Sequence, residues 1–217
     1  MRSTVPERPR VDAVGFVVDA LRTRPWARRV LSGISVGLLL LGLGLLAYPF
    51  ATNIYQDRLQ ARLDRQLASP ALEQAYRERR VGTGDSLTRL RIPALGVDVV
   101  VVEGTSASAL RAGAGHYPET PLPCEQGNVA IAGHRTTYGK PFANIDRLKA
   151  GDVVVLETPI GTCTYAISRA PFIVEPNDFS VIDPTRDREL TLTSCHPKGS
   201  ASHRIIIRAV YAHDGGA

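Results

Sequence analysis

The sequence predicts an all-β domain, an eight-stranded β-barrel with one or two short helices, preceded by an N-terminal transmembrane helix. Three observations lead there: an uncharged apolar run from Val30 to Tyr48, eight short β-branched runs between Leu87 and Tyr211, and no regular alternation of strand and helix.

The apolar run reads VLSGISVGLLLLGLGLLAY and continues without charge as far as Gln56. It is long enough to span a bilayer, and it lacks the polar face that a buried core helix would carry. Residues 1–29 hold seven arginines against three acids, with Arg28 and Arg29 abutting the run, so the positive-inside rule places the N-terminus in the cytoplasm and the rest of the chain outside. The run is longer than a cleaved signal's apolar region, and no convincing small-x-small cleavage site follows it. Gly33 and Gly37 form a GxxxG pair, a weak indication of helix pairing.

Beyond the membrane, Leu59, Leu63 and Leu67 recur at i, i+4 among polar residues, the stripe of a helix read here as a stalk. Pro70 interrupts it, a second helical stretch runs to about Arg80, and Gly82-Thr83-Gly84 ends the segment. The expected organisation is a cytoplasmic tail over 1–29, a signal anchor over 30–51, a helical stalk over 52–84 and an extracellular domain over 85–217.

In that domain the runs LTRLRIP, VDVVVVEG, GNVAIAGH, GDVVVLET, GTCTYAIS, PFIV, ELTLTSC and HRIIIRAVY are bounded by Gly, Pro and Asp. Ser106–Arg111 and Phe142–Leu148 are the two helical expectations. A closed, mostly antiparallel barrel accommodates eight strands without leaving exposed edges.

The charge of +5 is carried by arginines scattered along the chain and concentrated before residue 80, and aromatic residues are only 6% of the total. Topology accounts for that charge, and no base-stacking surface is available, so a nucleic-acid partner is not expected. Cys124, Cys163 and Cys195 lack the close spacing of a structural zinc site. His196 and His203 beside Cys195 lack the short ligand pair a metal would need, no run of acids resembles a calcium loop, and no cofactor is implied. Cys124 and Cys163 are a candidate pair for a disulfide closing a loop of about 40 residues, and the sequence is compatible with either the bond or two free thiols.

Cys195 ends the strand-like run before His196-Pro197, where rigid scaffold meets loop. His134 stands likewise at the end of the run Asn128–Gly133, and Arg204 opens the next run nine residues after Cys195. Taken singly, these are ordinary residues: a buried cysteine, a loop histidine and a surface arginine. Together they supply what acyl transfer through a thioester requires: a thiol nucleophile, an imidazole to move protons and a guanidinium to hold an oxyanion. His116, in AGHYPET, is read as a structural turn residue.

The segment TLTSCHP (191–197) resembles the TLxTC signature of sortases, and GNVAIAGHRTTYGKPF (127–142) with Arg204 completes the likeness over about residues 85–213. The CHP after the cysteine and the arginine-rich tail are most similar to class E sortases. The resemblance implies a sortase-type β-barrel in which His134, Cys195 and Arg204 share one groove. It further implies attack on an LAxTG- or LPxTG-like C-terminal sorting signal between Thr and Gly, with the acyl group passed to a cell-wall or pilin amine. Ser194 replaces the threonine more usual before the nucleophile and is the candidate substrate-binding residue. The groove wall expected from about Ala170–Asp187 has no assigned contacts. L,D-transpeptidases, which also use an extracellular cysteine and histidine, resemble SHGC motifs that TLTSCHP does not fit, and an anchored barrel without turnover would not need the complete Cys/His/Arg set.

Overall fold

The computed structural model describes residues 24–215 and divides into two compact units, Met1–Ala51 and Thr52–Ala217. Of the expected cytoplasmic tail, residues 1–23 lie outside the described residues. The first unit contains the N-terminal part of helix α1 (Pro25–Leu67). Its 23 residues Pro25–Ala47 are long and apolar enough to cross a membrane, about 34 Å at the helical rise, and none of that window is buried.

In the second unit, Leu59, Leu63 and Leu67 of α1 pack with Val100, Val102, Ala109 and Ala112. Gln60 accepts from the Val100 N–H at 2.8 Å, and the Gln56 amide donates to the Ala112 carbonyl at 3.0 Å. The segment expected as a stalk is therefore packed against the barrel, its apolar stripe completing a satellite cluster on the barrel's outside. Ser69 caps helix α2 (Pro70–Arg77), its hydroxyl accepting from the Leu72 N–H, and Pro70 sits where the first helical N–H would be unpaired anyway. Tyr76 anchors α2 by donating to the Pro123 carbonyl at 3.1 Å.

All eight expected strands form: β1 (Ser86–Ile92), β2 (Val97–Glu103), β4 (Asn128–Gly133), β5 (Val153–Thr158), β6 (Gly161–Ile167), β7 (Phe172–Val174), β8 (Glu189–His196) and β9 (His203–Gly215). A three-residue strand, β3 (Ala114–His116), joins them after helix α3 (Ala107–Ala112). The order β6-β5-β1-β2-β3-β4-β8-β9 is closed by a β6–β9 pairing, so eight strands make the ring, and β7 adds to the other part of β9's edge. Pairings are antiparallel except β2–β3 and β4–β8. Alternation along the strands supplies the core, as with Cys163, Tyr165 and Ile167 on β6 and Leu190 and Leu192 on β8.

Of the two helical expectations, Ser106–Arg111 corresponds to α3, whereas Phe142–Leu148 contains only a 3₁₀ turn, Ile145–Arg147. The buried positions there are Phe142, Ile145 and Leu148, spaced three apart, which the threefold repeat of a 3₁₀ turn aligns better than an α-helix. Cys124 and Cys163 form a disulfide, tying the β3–β4 connection to β6. His116 is fully buried, with Nδ1 at 2.9 Å from a Glu103 oxygen and Nε2 donating to the Pro121 carbonyl, in keeping with the structural role expected of it.

Candidate active site

The disulfide decides which thiol stays reduced: Cys195 is the free cysteine, and it is partly exposed. On β8 it shares a face with Thr191 and Thr193, opposite to the core-facing Leu190 and Leu192. Its thiol therefore stands on the outside of the barrel wall. In the antiparallel β8–β9 ladder Cys195 is the register partner of Arg204, and directly opposed residues project to the same side of a sheet. Arg204 in turn opposes Val174 on β7. The Arg204 guanidinium donates through one terminal nitrogen to the carbonyls of Ala201 and His203, each at 3.0 Å. These two bonds hold the guanidinium against the end of the β8–β9 connection and the first residue of β9.

His134 arrives from the other side. Strands β4 and β8 are parallel, with Ala132 opposite Thr193. Extending that register by two residues places His134 alongside Cys195. The two strands share their direction, so His134, just past the end of β4, and Cys195, the last but one residue of β8, lie toward the same rim. The loop after His134 is tied at its base, where the Phe142 N–H donates to the His134 carbonyl at 3.1 Å. Its turn is tight, with Tyr138, Gly139 and Lys140 all at positive φ. The Tyr138 ring lies 5.3 Å from the imidazole, centroid to centroid. Burial disfavours the imidazolium and lowers the His134 pKa below the ordinary histidine value.

The same outer face has walls. Asn128 donates to the carbonyls of Val181 and Asp183 and accepts from the Thr191 hydroxyl at 2.7 Å, which docks the 3₁₀ turn Phe179–Ile182 onto β4 and β8. The Tyr117 hydroxyl lies 3.2 Å from that of Thr193. Asn128, Thr191, Tyr117 and Thr193 thus frame the Cys195 face, and none was singled out from the sequence. Their types are common in strands and turns, and only the strand order reveals that they share a face.

Ser194 points elsewhere. It is 4% exposed, and its hydroxyl donates to the Gly133 carbonyl at 2.6 Å, one residue before His134. Arg135, one residue after His134, was also passed over in the sequence, where an arginine in a polar loop resembles any surface charge. In the fold its side chain is 3% exposed. His196 accepts from it through Nδ1 at 3.0 Å, and Asp146 accepts from it at 2.7 Å. His203 lies 3.7 Å from Glu175, and among the described residues no group of His, Cys, Asp and Glu is arranged to hold a metal.

The fold agrees with the comparisons to known proteins, in which the family model "Sortase domain" matches residues 90–212. The chain belongs to the sortase family. A curated relative, sortase SrtE1 of Streptomyces coelicolor, is 30% identical over 86% of this sortase, which spans 59% of that relative's length. Among solved structures, sortase E of Streptomyces avermitilis is 38% identical, with a TM-score of 0.57 over 62% of this chain and 92% of that one. A sortase D5 transpeptidase of Clostridium perfringens is 26% identical, with a TM-score of 0.63 over 73% of this chain and 98% of that one. Class E sortases are thus among this sortase's relatives, as the TLTSCHP segment led one to expect.

Proposed function

We propose that this sortase is a membrane-anchored cysteine transpeptidase with Cys195 as nucleophile, His134 as acid and base, and Arg204 as oxyanion stabiliser. The observation that carries the proposal is the cross-strand pair of Cys195 with Arg204, flanked by His134 at the end of the parallel neighbour β4. His134 takes the proton of the Cys195 thiol as the sulfur attacks the threonine carbonyl of an LAxTG- or LPxTG-like sorting signal, and the tetrahedral oxyanion is held by the Arg204 guanidinium. The Thr–Gly bond breaks, and the departing glycine amine takes a proton from His134. A thioester links the substrate to Cys195 until an acceptor amine attacks it, gives its proton to the imidazole and releases the thiol.

Burial of His134 suits the second half of this cycle, because it favours the neutral imidazole that must take the acceptor's proton. Ser194 is 4% exposed and bonded to Gly133, which favours a positioning role over direct substrate contact. The arginine-rich flank of the apolar helix supports a cytoplasmic N-terminus and an extracellular catalytic domain, and a disulfide suits an oxidising compartment. The partners are secreted proteins bearing a C-terminal sorting signal and a cell-wall or pilin amine.

The deciding experiment incubates wild type and Cys195→Ala with a sorting-signal peptide and an amine acceptor, and traps any acyl-enzyme for mass analysis. Wild type forms the amide and a thioester at Cys195, and the variant forms neither. Wild-type product formation by Cys195→Ala would refute the mechanism.

A further inference from the structure

Beyond the three catalytic side chains, we propose that Arg135 is a positioning residue that sets the approach of the His134 imidazole to the Cys195 thiol by gripping His196. This rests on the assignment of His134 and Cys195 above. The two side chains come from strands whose ladder stops short of them: the last β4–β8 register pair is Ala132 with Thr193. Beyond it, no backbone ladder fixes their separation. Two side-chain straps take over, one residue to either side of the pair. Before it, the Ser194 hydroxyl donates to the Gly133 carbonyl. After it, the Arg135 guanidinium donates to His196 Nδ1. On β8, residues 194 and 196 alternate in direction with 195, so both straps lie away from the thiol's face and leave it clear for substrate.

The chemistry of the second strap argues against mere stability. Arg135 is 3% exposed and, among the described residues, its one carboxylate partner, Asp146, is 43% exposed and its buried Nε has no hydrogen-bond partner. A buried guanidinium compensated on one arm costs free energy that an apolar residue of similar volume would not. What the guanidinium supplies instead is a rigid planar fork spanning two elements, with Asp146 of the 3₁₀ turn on one arm and His196 of β8 on the other. A donor on Nδ1 also fixes the His196 tautomer, with its proton on Nε2.

The test measures kcat and KM on the full chain in detergent micelles, with a sorting-signal peptide and an amine acceptor. The variants are Arg135→Gln, His196→Leu, His196→Gln and the double variant Arg135→Gln/His196→Leu, with Cys195→Ala alongside and thermal melting as the control for folding. Arg135→Gln and His196→Leu each lower kcat by about a hundredfold, the size of effect expected from a misplacement of roughly 1 Å, while the peptide KM stays within about twofold. The double variant is no slower than the slower single one, because both remove the same strap. His196→Gln, whose side-chain oxygen still accepts from Arg135, recovers kcat to within about fivefold of wild type. Should Arg135→Gln melt below the assay temperature, the two variants at the partly exposed His196 decide alone. The proposal is overturned by His196→Leu turning over at the wild-type rate, by losses that multiply in the double variant, or by His196→Gln being as slow as His196→Leu. An inactive Cys195→Ala beside a fully active His196→Leu sinks only the strap, whereas an active Cys195→Ala sinks the catalytic assignment itself.

Discussion

Breaking the Cys124–Cys163 bond is the perturbation whose size the structure specifies best. The bond links residues 39 apart, and the chain-entropy relation for a loop of that length gives about 4 kcal/mol at 25 °C. Its two ends belong to different parts of the barrel. Cys163 is fully buried on β6, while Cys124 lies in the β3–β4 connection next to Pro123, the carbonyl that receives Tyr76. Urea unfolding of a fragment covering residues 52–217, oxidised against reduced and against Cys124→Ala/Cys163→Ala, measures the effect. With a slope of about 2 kcal/mol/M, the midpoint falls by about 2 M in both the reduced protein and the variant. Alkylation of the oxidised protein under denaturing, non-reducing conditions labels Cys195 alone. A midpoint shift below about 0.5 M would leave chain entropy an insufficient account, and three labelled thiols would remove the bond altogether.

Three further outcomes are expected. Leu63→Ala in α1 costs about 2–3 kcal/mol in urea unfolding, since Leu63 is 5% exposed within the satellite cluster; a cost under about 0.5 kcal/mol would detach the helix from the domain. Gly133→Ala places a Cβ 2.6 Å from the Phe142 ring, immediately before His134, so stability falls by about 1–3 kcal/mol and turnover falls with it; wild-type turnover with an unchanged melting temperature would contradict this. Because burial lowers the folded-state pKa of His134, the unfolded chain binds the extra proton first. The neutral imidazole's contribution is thus fully present above the unfolded value near 6.5 and is lost as pH falls through the lower folded value. The difference in urea midpoint between pH 7.5 and pH 5 is therefore smaller in His134→Gln than in wild type, and equal differences would show that the burial has no such effect.

The strap proposed at Arg135 shows where the catalytic segments cease to be readable locally. TLTSCHP and GNVAIAGHR contain the proposed nucleophile and its proposed imidazole partner, and each segment is a strand followed by a loop in its own right. That Ser194 should meet Gly133 and His196 should meet Arg135, each across 61 residues, depends on β4 and β8 lying side by side in parallel. Parallel neighbours need long connections, so no hairpin turn signals the pairing in advance. The 3₁₀ turn at Ile145–Arg147 is a similar case: the sequence reads as helical there, and the burial of Phe142, Ile145 and Leu148 against the barrel selects the tighter turn.

By itself the sequence determined whatever depends on neighbours a few residues apart. The charge-free run long enough for a membrane, the alternation that makes each of eight strands, the break between two helices at Pro70, and the types of residue able to carry thiol chemistry all belong there. Only the tertiary structure decided what depends on distant partners. The β6–β9 pairing closes the ring, Cys124 finds Cys163, the leucine stripe of α1 meets β2 and α3, and Arg204 comes to oppose Cys195. Local periodicity is written in the spacing of adjacent side chains, whereas these pairings follow from the burial that all the strands achieve together, a sum to which no single segment holds the key.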